Sequence, residues 1–251
     1  TTLAKKLIDS DYELDKNEES TQGIKVFPYE FSHADGNACR INIWDFGGQE
    51  IYHATHQFFL TQRSVYALVV DARKENPNFY YWLKVVQLHS GNSPVIVIKN
   101  EKQDRVCSVN DLQLRGEFRN LRESLPANFE TNRNLDSVRN TIEEHISRLP
   151  HVGDRIPAAW SKVREFLRDA ALLKNYISAG DYYQICESHK ITDRSEQDTL
   201  IRFLHDLGSV LHFQDIRQLK KTVFLNPTWS TDAIYNVLDA KESQERIRLF
   251  F

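Results

Sequence analysis

Methionine is absent from the 251 residues, and the first of them already lies in a helical pattern, so an excerpt of a longer polypeptide is expected. Cysteine is scarce. Cys39, Cys107 and Cys186 are odd in number, far apart, and lack the CxxC or Cys/His spacing of a metal site, which argues against a disulfide framework and for a reduced, cytoplasmic setting. No stretch approaches the roughly 18 apolar residues of a membrane span, and no signal peptide is visible. Charge of either sign is hardly in excess: a net of -3 offers no broad attraction to nucleic acid or to an anionic membrane.

What is present fits a soluble globular protein: 41% hydrophobic and 27% charged residues, enough chain for one large domain or two moderate ones. The most informative stretch is Asp45-Phe46-Gly47-Gly48-Gln49-Glu50. Ahead of it, Cys39, Ile41 and Ile43 alternate with Arg40, Asn42 and Trp44, the period of a strand that ends at Asp45. A carboxylate at a strand end can hold magnesium through water. A glycine beside it removes the Cβ that would keep a backbone N–H from a phosphate. The amide of Gln49 both donates and accepts, so it could orient a water without being a base.

The remaining pattern alternates strands with helices. Thr1 to Ile8 reads as an amphipathic helix, Asp9 to Gln22 as a polar loop, and Ile24 with Val26 as a strand that a turn around Ser32 to Asn37 returns into the Cys39 strand. Ile51 to Leu60 reads as a helix whose His53 and His56, lacking a third ligand, are expected to be structural. Ser64 to Asp71 and Pro94 to Lys99 are near-continuous apolar runs, expected to be strands buried on both faces of a parallel sheet. Phe79 to His89 and Ser108 to Leu125 read as crossover helices, the second opening with a Ser-x-x-Asp cap; the short Ala127 to Glu130 segment and a helix over Leu135 to Leu149 complete the sheet. This is a doubly wound α/β domain, in which ligands bind at the carboxyl ends of the strands.

On those residues, Asp45 to Glu50 resembles the switch II motif of Ras-like GTPases, and Trp44 to Glu50 resembles the Ras-of-complex (Roc) domain of Roco proteins. The resemblance implies a P-loop NTPase fold, GTP/GDP and Mg2+ as ligands, and a signalling switch with slow intrinsic GTP hydrolysis. It places Thr1 where the Ser/Thr of a phosphate loop opens the first helix, the glycine loop and its Lys being missing before it. Thr1 and the adjacent Thr2 are then nucleotide contacts, Thr21 the switch I threonine, and Asp45 a magnesium holder through water, so that Thr1, Thr21 and Asp45 make the metal set. Gly48 would sense the γ-phosphate and Gln49 orient the attacking water, while Arg63 is a candidate finger, in cis or across a dimer. Asn100-Glu101-Lys102-Gln103-Asp104 follows a strand where the family has Asn-Lys-x-Asp. Asn100, Lys102 and Asp104 are the base contacts expected, although Lys and Asp each stand one residue too far along, so adenine remains open. No Ser-Ala-Lys is recognisable at Thr131-Asn132-Arg133.

Pro150 to Pro157 is the expected linker, dividing 1–149 from 158–251. Beyond it, a long helix, helices near Gly180 to Ser188 and Ser195 to Leu207, a hairpin of Val210 to Phe213 with Thr222 to Leu225, and a helix over Ser230 to Leu238 suggest a winged-helix arrangement. DNA binding is the rival reading, but residues 158–251 carry 13 Lys plus Arg against 13 Asp plus Glu, a net of zero, where phosphates need a basic footprint. Leu211 to Asp215 and Phe224 to Trp229 resemble the first part of the COR (C-terminal of Roc) region. That resemblance implies a homodimer through COR in the full-length protein, while the balanced charge and the lack of a long apolar run predict no nucleic acid and no integral membrane segment. The remaining alternative is a nucleotide-independent scaffold with a GTPase-like fold.

Overall fold

In a computed structural model, which describes residues 1–15, 21, 23–32, 36, 38–48, 56–71, 79–102 and 110–239, the chain divides into two compact units. Thr1–Ser20 and Phe27–Gly153 form the first, Thr21–Val26 and Asp154–Phe251 the second. The division passes through a strand near its start and falls again inside the expected linker.

The first unit is built on β4 (Val95–Asn100), every residue of which is buried. Its alternating side chains feed two cores. Ile96 and Ile98 pack with Leu3 and Leu7 of α1 (Thr2–Ile8) and with Leu135, Val138, Ile142 and Ile146 of α4 (Leu135–Ser147), an apolar stripe at helical spacing. Val95 and Val97 pack instead with Leu83 and Val86 of α2 (Phe79–His89) and with Leu114 of α3 (Asp111–Glu117). β4 pairs in parallel with β3 (Tyr66–Asp71) on one side and β5 (Leu121–Ala127) on the other, giving the order β3-β4-β5. β1 (Ile24–Ser32) and β2 (Ala38–Phe46) form a separate pair, and Cys39, Ile41 and Ile43 of β2 lean on the α1/α4 core.

Three expectations change. Of the two strands expected to be buried on both faces, β4 is and β3 is not. In β3, Ala67 is exposed and Val69 43% exposed, although their register partners Ile96 and Ile98 are buried against α1 and α4. The helix expected over Ser108 to Leu125 is the seven-residue α3, capped by Asn110, whose Oδ1 accepts from Gln113 N at 3.1 Å. It ends before Phe118, and the chain turns into β5. Pro126 masked that strand, because proline has no N–H for a ladder; at the sheet's edge none is needed there. The segment expected as a helix over Ile51 to Leu60 is described only from His56, where a 3-10 turn covers Gln57–Phe59.

The second unit is helical. α5 (Ala158–Ala170), α6 (Ala179–Ser188) and α7 (Arg194–Asp206) enclose Val163, Leu167, Tyr182, Cys186, Leu200, Ile201 and Leu204. A capping box starts α6: Ser178 Oγ accepts from Asp181 N at 3.0 Å, and Asp181 Oδ2 accepts from Ser178 N at 3.1 Å. Where a hairpin was expected, β7 (Thr222–Phe224) pairs antiparallel with the unanticipated β6 (Tyr176–Ser178), and the 210–213 arm contributes one bridge, Leu211 to Phe224. α8 (Pro227–Asp239) follows. Three residues are too short for alternation to show, so β6 left no mark in the sequence.

Candidate functional site

Where β2 stops, its carboxylate meets the start of α1. Asp45 Oδ2 accepts from Thr1 Oγ1 at 2.8 Å; both side chains are largely buried. A carboxylate and a hydroxyl held this close form a hard-oxygen pair that suits a small divalent cation. Thr2 lies half-buried in the first turn of the same helix. Past Asp45, Gly47 is buried while Gly48 is exposed, with no heavy atom within 4 Å of where its Cβ would stand. An incoming group could therefore approach that backbone closely.

Aromatic rings brace the β2 end of this turn. Trp44 packs on Phe59 at 6.0 Å, and Phe46 meets the buried His56 edge-on at 5.0 Å, with His56 stacked at 5.7 Å on Trp82 of α2. His56 is thus part of an aromatic stack, in keeping with a structural role, and His53 lies outside the described residues. So do Gln49 and Glu50.

A second cluster forms at the carboxyl ends of β4 and β5. Asn100 Oδ1 accepts from Phe129 N at 3.1 Å, Glu101 N donates to Ala127 O at 2.7 Å, and Arg133 Nη2 donates to Glu101 Oε2 at 2.6 Å. The turn after β5 is also tied to itself. Asn128 Oδ1 accepts from the amides of Glu130 and Thr131, and Asn128 N donates to Arg133 O at 3.0 Å. Lys102 follows, half-buried, and Asp104 lies outside the described residues. The turn at this strand end is therefore Asn128-Phe129-Glu130, three residues ahead of Thr131-Asn132-Arg133. Misplacing β5 hid it; a polar run directly after a parallel strand was the available signal.

Other candidates fall elsewhere. Thr21, 2% exposed, belongs by compactness to the second unit. Arg63 sits in the turn before β3, where the adjacent Gln62 carbonyl accepts from Ser93 Oγ at 2.8 Å ahead of β4. That is the amino edge of the sheet. The opposite, carboxyl edge, six residues of β4 or about 20 Å away, is the end that holds Asn100. Burial raises the Cys39 thiol, leaving it a poor nucleophile. Tyr29, pushed up to about 12 by burial and by its bond to Glu143, stays a neutral donor. Among the described residues no three His, Cys, Asp or Glu side chains cluster as metal ligands, and no helix is long and apolar enough to cross a membrane.

Loops gathered at strand ends beside a first helix follow the plan of Ras-like P-loop GTPase domains, here joined to a smaller helical unit. Residues 1–104 match the family model "Ras of Complex, Roc, domain of DAPkinase", and residues 157–250 match "C-terminal of Roc, COR-A domain". The chain belongs to the Roc-COR, or Roco, family. It is similar to Methanosarcina barkeri Roco2 RocCORdC, solved bound to GDP: 33% identity, TM-score 0.85, 96% of this chain and 73% of that one. It is 26% identical to a Roc-COR-CHAT protease of Runella zeae over 95% of this chain and 28% of that protein. With the probable serine/threonine-protein kinase pats1 of Dictyostelium discoideum it shares 25% identity over 81% of this chain, which spans 7% of the kinase.

Proposed function

We propose that this Roc-COR chain is a guanine-nucleotide switch: residues 1–149 bind GTP or GDP with Mg2+ and hydrolyse GTP slowly, and the nucleotide state is passed to residues 158–251 beyond a 150–157 linker. The observation that carries the reading is the bond between Thr1 Oγ1 and Asp45 Oδ2, which pairs a hydroxyl at a helix start with a carboxylate at a strand end. These oxygens suit Mg2+, which when bound would neutralise charge on the terminal phosphate oxygens. Thr1 and Asp45 would hold it, joined by Thr21 when the γ-phosphate is present. Gly48 leaves room for that phosphate against its own N–H, and Gln49 orients the attacking water. Asn100, through Phe129, sets the loop that faces the base, with Lys102 and Asp104 alongside.

Release of Thr21 and of the segment after Gly48 on loss of the γ-phosphate is the proposed signal to the COR unit. A cytoplasmic setting and a homodimer through COR in the full-length protein complete the proposal. Labelled GDP and labelled ATP titrated against the full-length polypeptide test it: tight, Mg2+-dependent GDP binding is expected, and binding of neither would leave a scaffold. Gln49→Leu is expected to slow GTP turnover by ten-fold or more with GDP affinity within about two-fold; unchanged turnover removes Gln49 from the chemistry.

A further inference from the structure

Lys6 is 2% exposed, in the second turn of α1, and the chemistry above does not use it. Its Nζ donates to the carbonyl of Tyr12 at 2.8 Å and to Asn132 Oδ1 at 2.6 Å. The first acceptor lies in the segment leaving α1, the second in the turn after β5, 126 positions away. The Lys6 carbonyl in turn accepts from Arg139 Nη2 of α4 at 2.7 Å. Three segments are therefore fastened at one residue.

A buried ammonium held by two neutral oxygens is a costly way to fill space, since desolvation penalises the charge and a side chain such as methionine would occupy the same volume. What methionine could not do is hold two loops together. Asn132 adopts a left-handed backbone, φ +59°, and Lys6 grips its side chain there. The same short turn carries the Phe129 amide to Asn100 and the Arg133 guanidinium to Glu101, and its internal bonds make it rigid. A displacement at Asn132 is thus passed on to Asn100.

We infer that Lys6 is a positioning residue for the nucleotide: its ammonium locks the 128–134 turn to the segment leaving α1, closing the base-side wall and setting how long a nucleoside diphosphate stays bound. This rests on the reading that the carboxyl edge of β4 and β5 takes the base. It assigns Lys6 to retention of the nucleotide and not to its cleavage.

Release of a fluorescent GDP, chased with excess unlabelled GDP, is measured on the full-length polypeptide, with single-turnover GTP cleavage at saturation as the second readout. Lys6→Met is expected to speed release about ten-fold or more, the size of a lost charge-assisted hydrogen bond, with cleavage within two-fold. Asn132→Asp keeps the backbone that Asn favours and sets a carboxylate against the ammonium. It should slow release in the native chain and fail to do so in the Lys6→Met background. Release within two-fold of the native rate in Lys6→Met, whatever happens to the melting temperature, overturns the inference, as does an equal effect of Asn132→Asp in both backgrounds. A native chain that retains no fluorescent GDP overturns the nucleotide reading itself, an outcome separate from either of these.

Discussion

In the first unit the buried Lys6, Asn100 and Glu101 bond to partners 126, 29 and 32 positions away. In the second, the buried Gln197, Ser230 and Thr231 bond to the carbonyls of Ile191, Asn226 and Thr228, six, four and three positions away. Both sets satisfy groups that would be costly to bury unpaired. The distant bonds fix one loop against another, which a binding site requires; the local ones finish helices, which any stable helical unit requires. Buried polar groups by themselves do not mark a site: Ser90 of the first unit, bonded to the Val86 carbonyl four positions away, finishes a helix as those of the second unit do, whereas Lys6, Asn100 and Glu101 tie distant stretches together.

The strongest way to break the comparison is to damage the second unit alone. Leu200, fully buried in its core, changed to Ala should cost about 2–5 kcal/mol in denaturant unfolding of that unit. GDP affinity should stay within two-fold; a large loss of affinity would show that the site depends on the COR unit. Next in size, Asn100→Ala leaves the Phe129 amide without its acceptor, about 1–3 kcal/mol, and should weaken GDP binding at least ten-fold in a fluorescence titration. If stability falls and affinity does not, the long-range bonds serve only the fold.

The smallest effect is a pH dependence confined to the second unit. Burial, with His212 nearby, lowers His205 to about 4, while its Nδ1 accepts from His212 N at 3.3 Å and so is held unprotonated. Between about pH 6.5 and 4 the unfolded state binds a proton that the folded state does not, so stability falls as pH falls through that window and is level above it. The expected loss is up to about 2 kcal/mol, allowing for solvent access to a half-buried ring, measured as the melting temperature against pH. His205→Asn should flatten the profile, and GDP affinity should not follow it.

How far the sequence foretold this depended on element length and company. β4 was legible because six consecutive buried residues leave an unbroken apolar run, and the end of β2 because Asp45 and two glycines stand out against an alternating strand. β5 was not: Arg122, Glu123 and Pro126 read as anything but a strand, and it pairs only because β4 supplies a ladder beside it. The turn at 128–134 was lost with it, since a turn cannot be placed before its strand. The contacts of Lys6 were beyond any local reading. No periodicity on α1 signals an acceptor in another segment 126 positions away.

Pro126 carries one more consequence. On the outer rim of the sheet, β5 offers a neighbouring chain a strand whose ladder lacks a donor near its end and whose flank carries Arg122 and Glu123. Such a rim is a poor template for adding a foreign strand, so concentrated solutions of this protein should resist fibril growth along it. Two copies meeting there would find little to zip together.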